Sequence, residues 1–133
     1  MALLFAELIA PDRIVFEGEV RSVVLSGVEG DMTVLSGHAP MVTLLFPGMV
    51  FATDSEGKGR RAFVRGGVVE ITGAKVTILA ERVLPIEELT RDQIDNEILH
   101  LQLIRDASRD EASRAQANTS ISRLEEFKGS LRL

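Results

Sequence analysis

Short apolar runs separated by turn residues fill most of the first 85 residues of the chain. Several of them alternate apolar and polar side chains, which is the period-two pattern of a strand with one buried face. They recur at intervals of roughly 8–12 residues, and most end near a glycine. The pattern predicts a β-sandwich of about ten short antiparallel strands, whose apolar faces are buried between the sheets. The predicted runs are Leu3–Ile9, Ile14–Phe16, Val20–Leu25, Met32–Leu35, Met41–Leu45, Met49–Thr53, Arg61–Val64, Val68–Thr72 and Val76–Ala80, with a break at Gly18.

Beyond Pro85 the pattern changes, because the period moves from two toward 3.6 and the next glycine is Gly129. Thr90-Arg-Asp-Gln93 and Ser108-Arg-Asp-Glu111 both have the form of a capping box, which begins a helix. Two helices of about 15 residues joined by a tight break are expected to fold back as an antiparallel hairpin. The apolar stripes are Ile94, Ile98 and Leu101 on the first helix, and Ala117, Ile121 and Leu124 on the second.

The two patterns divide the chain into a β-sandwich domain, residues 1–85, and a helical hairpin, residues 86–133. Helices this short depend on tertiary packing for most of their stability. Leu99 and Leu103 lie off the main stripe and widen the apolar face of the first helix. Two explanations stay open for them: a docking surface for a partner, or a face packed on the sandwich.

Composition excludes several classes of protein. The net charge is −5, which argues against a surface that binds the phosphate backbone of nucleic acid. The chain has six Phe but no Trp or Tyr, so few side chains could stack on bases. The absence of Cys removes disulfides, thiol nucleophiles and thiolate-bound zinc. Residues 1–10 carry no basic leader or cleavage motif, and no apolar run approaches about 20 residues. We therefore expect association with a membrane only through a partner.

The chain is poor in residues that do chemistry. Its two histidines, His38 and His100, are 62 residues apart, one in a predicted loop and one in a predicted helix, so we expect no metal site. Neither a Gly-x-Ser-x-Gly elbow nor the Gly-Lys-Ser/Thr ending of a phosphate-binding loop is present. Glu29 and Asp31 flank Gly30 in a turn, where partner contacts or solvent exposure are favoured over acid–base catalysis. A triad assembled in space stays a remote third possibility, and we expect no enzyme activity and no cofactor.

A family resemblance rests on the stretch Gly27-Val-Glu-Gly-Asp-Met-Thr-Val-Leu-Ser-Gly-His-Ala-Pro40, followed by Pro47-Gly48. Arg65-Gly-Gly-Val-Val-Glu70, Val76-Thr-Ile-Leu-Ala80 and the helical tail continue it in the same order. Together these motifs resemble the ε subunit of bacterial F-type ATP synthases over nearly the whole chain. The resemblance implies a ten-stranded β-sandwich, a helical hairpin and a non-catalytic subunit of the central stalk. It further implies that the sandwich couples the γ subunit to the c ring on the cytoplasmic face of the bacterial inner membrane.

The same resemblance assigns contacts to the first motif. His38 and Pro40 match the family loop near γ, and Glu29 with Asp31 matches the acidic turn that faces the basic and polar loops of the c ring. A simpler interpretation of these residues stays open. His38 then stabilises its own loop by a hydrogen bond, and the two acids only solubilise the turn.

In the hairpin the resemblance is incomplete. Some ε subunits bind ATP through Ile/Leu-Asp-x-x-Arg-Ala with a later arginine; here Asp95 and Arg105 match, but Ile98 stands in place of the motif arginine. We expect ATP binding to be weak or absent, and a nucleotide-responsive regulator remains the alternative function. The family hairpin can also extend into the α/β catalytic head and restrain ATP hydrolysis through basic residues, for which Arg114 and Arg123 are the candidates here. A solvated helix with ordinary ion pairs explains those two arginines equally well.

Overall fold

In a computed structural model of the chain we describe residues 2–27, 30–85 and 89–130. Two compact units, Met1–Ile86 and Glu87–Leu133, make up the chain. The strands of the first unit are β1 (Leu4–Ala10), β2 (Arg13–Gly27), β3 (Gly30–Val34), β4 (Met41–Leu45), β5 (Gly48–Asp54), β6 (Gly59–Val64), β7 (Gly67–Ile71), β8 (Lys75–Ala80) and β9 (Val83–Pro85). The helices of the second are α1 (Arg91–Ala107) and α2 (Glu111–Ser130).

The strands are hydrogen-bonded in the order β1-β8-β7-β4-β2-β5-β6-β9, and β3 pairs with β2. Because β1 also pairs with β2, the strands β1, β8, β7, β4 and β2 close on themselves. The β1–β8 pair is parallel, with Phe5 opposite Lys75, whereas the other pairs are antiparallel. This parallel pair departs from the all-antiparallel expectation. It places the start of the chain beside a strand that forms some 70 residues later in the sequence.

Strand β2 is a single strand of 15 residues, so the predicted break at Gly18 is wrong. Its first half pairs with β1, where Gly18 lies opposite Ala6, and its second half pairs with β3 and β5. Pairing on both sides overrides the weak strand propensity of one glycine, because strand formation depends more on neighbouring strands than on local preference. One strand therefore serves both layers of the sandwich.

The core of the first unit receives side chains from each of the nine described strands. Strand β8 shows how the alternation works: Val76, Ile78 and Ala80 are buried, while Leu79 between them is exposed. Successive side chains of a strand point to opposite faces, so one face of each strand fills the core and the other faces outward. Val20, Val34, Val69 and Val76 are the most deeply buried valines of this core.

The capping box predicted for the first helix is confirmed. The Thr90 side chain accepts a hydrogen bond from the Gln93 N–H, and the Gln93 side chain accepts one from the Thr90 N–H. The predicted buried stripe is also present, as Ile94, Ile98 and Leu101 on α1 and Ala117, Ile121 and Leu124 on α2 are buried. No helix among the described residues combines the length and the hydropathy needed to cross a membrane.

The capping box predicted at Ser108 is wrong. Ser108 ends α1 instead, where its hydroxyl donates to the Ile104 carbonyl at 2.7 Å. Asp110 caps α2, because its carboxylate accepts hydrogen bonds from the N–H groups of Ala112 and Ser113 and from the Ser113 hydroxyl. An aspartate directly before a helix fills the same role as a serine and adds a favourable charge at the helix start.

Candidate partner-binding surface

The loop that carries His38 is fixed against the turn between β7 and β8. The Gly37 N–H donates to the Gly73 carbonyl at 2.7 Å, and the His38 N–H donates to the Leu35 carbonyl at 3.1 Å. Gly37 has φ +86°, a left-handed conformation that glycine adopts without strain. Glycine at position 37 thus lets the chain turn there while its N–H reaches the neighbouring loop.

The His38 ring is half-buried and bonds within its own loop. Its Nδ1 lies 2.8 Å from the Ala39 carbonyl oxygen, and because a carbonyl only accepts, Nδ1 carries the proton in this contact. This is the loop-stabilising hydrogen bond that the simpler interpretation requires. Pro40 next to it is exposed. A contact between this loop and γ stays a prediction.

The acidic turn lies at the other end of β4. Asp31 is exposed on β3 opposite Ser26, while Glu29 lies outside the described residues. Leu45, the last residue of β4, pairs with Gly27 beside this turn, whereas Met41 begins β4 directly after the His38 loop. Five strand residues span about 13–17 Å. The structure therefore does not bring Asp31 and His38 together and presents them at opposite ends of one strand.

Between these ends, an apolar row that sequence reasoning missed crosses four strands on the outer face of the sandwich. Leu44 lies opposite Val68, Val68 opposite Leu79, and Leu79 opposite Ile9. Leu44 is 55% exposed and Leu79 51% exposed, while the other two are half-buried. We call these four residues the outer apolar row. A pocket of about 420 Å³ lies along it, lined also by Ala10, Pro11, Gly67, Ala80 and Glu81.

A polar row runs beside the outer apolar row on β1, β8 and β7, two residues away along each strand, whereas on β4 the corresponding residue is Val42, which lies opposite Glu70 and is 68% exposed. It aligns Glu7, Thr77 and Glu70, and Lys75 joins it through an ion pair of 2.6 Å between Lys75 Nζ and Glu7 Oε1. The hydrogen bond that Lys75 donates to the Glu7 carboxylate is the largest cause that raises the pKa of Lys75, and the charges of Glu7, Glu70 and Glu17 add to it. The apolar centre of the outer face therefore has a charged, mainly acidic border on β1, β8 and β7, and Val42 interrupts this border on β4.

A signal for this row is present in the sequence. Leu44-Leu45, Val68-Val69 and Ile78-Leu79 place apolar residues on consecutive positions, so each strand is apolar on both faces. Strands that are apolar on both faces are usually covered on both faces. The pattern could have indicated a covered outer face, although not what covers it.

Comparison with known proteins decides the family. Residues 4–86 match the family model described as ATP synthase, Delta/Epsilon chain, beta-sandwich domain. The ATP synthase epsilon chain of Maricaulis maris is 34% identical over 92% of this chain and 91% of its own length. That of Parvibaculum lavamentivorans is 41% identical over 69% of this chain and 70% of its own. The chain belongs to the ATP synthase epsilon chain family.

Membership confirms both the family resemblance and the predicted β-sandwich with a helical hairpin. The fold also resembles a chain in the Euglena gracilis mitochondrial ATP synthase structure, described as OSCP/F1/c-ring. That likeness has a TM-score of 0.74 at 24% identity and covers 99% of this chain and 83% of the other. Chains of the epsilon family are non-catalytic subunits, as predicted for this one. Within the described ranges, His, Cys, Asp and Glu form no group of three that could hold a metal ion.

In this epsilon-family chain the nucleotide candidates are separated and engaged elsewhere. The Asp95 carboxylate forms an ion pair with Lys128 at 2.5 Å. The Arg105 guanidinium donates to the Asn118 side chain at 3.2 Å and to Asp106 at 3.1 Å. Ten residues on one helix correspond to about 15 Å. Ile98, which replaces the motif arginine, is buried.

The remaining hairpin candidates differ in exposure. Arg114 is exposed, and its Nε donates to the Ser108 carbonyl at 2.9 Å, whereas Arg123 is half-buried and engaged in an interaction. Leu99 and Leu103 are exposed. A role of the two arginines in restraining hydrolysis is a prediction that these contacts leave open.

Proposed function

We propose that this chain is the non-catalytic central-stalk subunit of a proton-translocating F-type ATP synthase, and that its sandwich couples γ to the c ring during ATP synthesis. The single observation that carries the proposal beyond family membership is the outer apolar row. It is an exposed apolar surface on a unit whose other apolar side chains are mostly buried in the core. Exposed apolar patches bordered by polar residues are typical of protein interfaces.

We assign the outer apolar row to γ. Its pocket of about 420 Å³ is large enough to receive bulky apolar side chains, which is how a few anchors supply most of the binding energy of an interface. Glu81 at the pocket and Glu70 in the adjacent row favour a partner with basic residues around its apolar anchor. The His38 loop at the far end of β4 extends the same contact.

The acidic turn is assigned to the c ring. Asp31 is exposed at the opposite end of β4 from the His38 loop, so this strand separates the proposed c-ring contact from the loop part of the γ contact, whereas Leu44 of the outer apolar row lies one residue from the acidic-turn end. The c-ring loops of the family are basic and polar, which gives Asp31 and Glu29 a Coulombic reason to contact them. This arrangement would place the chain at the cytoplasmic face of the bacterial inner membrane.

The coupling role is tested with synthase complexes stripped of this subunit and rebuilt with variants. Leu79→Asp introduces a charge into the outer apolar row, and we expect it to abolish rebinding and proton pumping. Val24→Asp is the matched control, because Val24 is also exposed, at 38%, but lies on β2 opposite Thr33 and Phe51, outside the outer apolar row. Normal pumping with Leu79→Asp would contradict the assignment to γ. Failure of the wild-type chain to restore pumping would contradict the coupling role itself.

We further propose that the hairpin restrains ATP hydrolysis through contacts of Arg114 and Arg123 with the α/β catalytic head. Complexes rebuilt with residues 1–86 are expected to pump normally and to hydrolyse ATP faster than complexes with the full chain. Equal hydrolysis by both would show that the hairpin is not the brake. Substituting both arginines by Gln in the full chain separates their charges from the rest of the hairpin.

The alternative, a nucleotide-responsive regulator, gains no support from the geometry. Asp95 and Arg105 bond to different residues of the hairpin, and the buried Ile98 offers no cation to a phosphate. Calorimetric titration of the full chain with ATP is expected to give no measurable heat of binding. Saturable binding that is lost in Asp95→Asn and Arg105→Gln would revive this alternative.

A further inference from the structure

The outer apolar row continues onto a fifth strand. Its member on β1, Ile9, lies opposite Ile14 on β2, and Ile14 is 55% exposed. The register of this pair shifts at Ile9, which leaves Val15 as an extra residue that packs against the core. Residues directly opposite one another on paired strands lie on the same face of the sheet, so Ile14 faces outward together with Ile9. Apolar side chains therefore cross β4, β7, β8, β1 and β2 in one line.

The polar row continues onto the same strand. Glu7 lies opposite Glu17 on β2, and Glu17 is exposed. Glu70, Glu7 and Glu17 therefore follow one line, in which Lys75 pairs with Glu7 and offsets one of the three charges. On β1, β8 and β7 the two lines are about 7 Å apart, which is the separation of every second residue of a strand. A partner that covers the apolar line thus meets acidic groups along one side.

The apolar line lies in a groove. One pocket of about 420 Å³ is lined by a member of the outer apolar row from each of β4, β7, β8 and β1, and also by the small residues Ala10, Gly67 and Ala80. Neighbouring strands are about 4.8 Å apart, so a line across five strands is about 19 Å long. About 13 residues of α-helix span that length, and helix residues three or four positions apart recur at nearly the strand spacing. A helix about 10 Å in diameter covers both lines at once.

We propose that this groove binds one amphipathic α-helix, which lies across the five strands with its apolar side chains on the apolar line and with lysine or arginine on the flank that faces the polar row. An apolar helix face laid into a groove is a common mode of recognition. Val42 stands where the polar row reaches β4, so we expect the basic flank over β7, β8, β1 and β2 and an apolar residue over β4. The attribution of this helix to γ rests on the proposed function, whereas the shape and charge of the groove do not.

Variants at the β2 end test the orientation, because only a partner that crosses all five strands reaches it. Rebinding of the full-length chain to stripped synthase complexes is measured by titration at low and at high salt. Ile14→Asp should weaken rebinding about tenfold or more. Glu17→Lys should weaken it about fivefold at low salt and less at high salt. Val24→Asp on the same strand and Glu56→Lys in the exposed turn after β5 make matched changes outside the groove and should rebind normally.

Two synthetic peptides test the helix itself. Both are stapled to remain helical and carry leucines along one face, but the flank beside the leucines has lysines in one peptide and glutamates in the other. The lysine peptide should change the NMR amide shifts of the full-length chain from β4 across to β2, and the glutamate peptide should not. The proposal is overturned if the lysine peptide binds no better than the glutamate peptide, or if its shifts stop at β4, β7 and β8.

The rebinding titrations separate this proposal from the assignment to γ. If Leu79→Asp fails to rebind while Ile14→Asp and Glu17→Lys rebind like the wild type, the helix across five strands is wrong and the assignment of the outer apolar row to γ stands. If Leu79→Asp rebinds normally, the assignment to γ is wrong. The peptides, which do not depend on γ, then decide whether the groove binds a basic helix.

Discussion

The sandwich and the hairpin are stabilised in different ways. Each described strand of the sandwich contributes to one core, and its pairings connect residues far apart in sequence, such as Phe5 with Lys75. The hairpin depends on a narrow buried stripe, on caps at its helix starts and on exposed polar contacts between its helices. Local opening is concentrated where buried apolar contacts are few. Local opening is therefore expected first in the hairpin, and the sandwich is the more rigid of the two units.

The largest effect is expected at Gly67 in the sandwich. A Cβ there would lie 2.1 Å from the Leu79 carbonyl oxygen, and Gly67 has φ +149°. Gly67→Ala must therefore separate β7 from β8, at a cost of about 4 kcal/mol in the free energy of unfolding. Gly73→Ala is the control, because nothing lies within 4 Å of its added Cβ. Chemical denaturation followed by circular dichroism measures the free energy of unfolding of both variants. Equal stability of the two would contradict the close approach of β7 and β8.

In the hairpin the largest effect is expected at Leu124, whose exposure is 0%. Leu124→Ala removes buried methyl groups and leaves a cavity, which costs about 3 kcal/mol. Leu103→Ala, at a position that is 62% exposed, should change stability by less than about 0.5 kcal/mol. Thermal unfolding, followed by the helical circular dichroism signal, measures the stability of both variants. If both leucines gave the same small loss, the assigned buried stripe would be wrong.

A smaller loss is expected at the start of α1. Thr90→Ala removes the hydroxyl that accepts from the Gln93 N–H, and an N-cap of this type contributes about 1 kcal/mol. Thr90→Ser keeps the hydroxyl and should retain most of the stability. Amide hydrogen exchange over residues 91–94 is the measurement, with faster exchange expected in the alanine variant alone. Equal exchange in the two variants would mean that the cap is not a stabilising contact.

The smallest effect concerns pH. Hydrogen bonds from the Ser113 hydroxyl and from the N–H groups of Ala112 and Ser113 lower the pKa of Asp110 below its ordinary value of 3.8. Because the folded pKa is the lower one, this stabilisation is fully present above pH 3.8 and is lost as the pH falls through the folded value. NMR titration should show the Asp110 carboxyl and the Ala112 amide changing together. Asp110→Asn can still cap the helix but does not titrate, so it should abolish the change at the Ala112 amide. A pKa of Asp110 at its ordinary value would contradict the capping hydrogen bonds.

Local rules predicted local structure well. The Thr90 box and the buried stripe follow from spacing alone, since both depend on residues three or four positions apart. Gly18 was assigned incorrectly because its conformation is decided by β1, which pairs across it. Ser108 and Asp110 are both residues that can cap a helix, and Asp110 caps α2 because the Ser108 hydroxyl is bonded to the end of α1.

The candidate site was predicted less completely than the fold. The His38 loop and the acidic turn were identified by their motif, but their position at opposite ends of β4 depends on pairings with distant strands. The outer apolar row requires four strands in register, which no local pattern specifies. Alternation alone shows that a strand has two faces. It does not show which face lies toward the core and which lies outward.

The parallel pairing of β1 with β8 has a consequence for how the chain folds during synthesis. Strand β1 is made first, yet one of its edges stays unpaired until residues 75–79 have left the ribosome. Contacts of such long sequence separation slow folding, whereas helices joined by a short turn form rapidly. The nascent sandwich therefore exposes an unpaired edge of β1 for most of its synthesis. The hairpin that follows needs no distant partner and forms in a much shorter time.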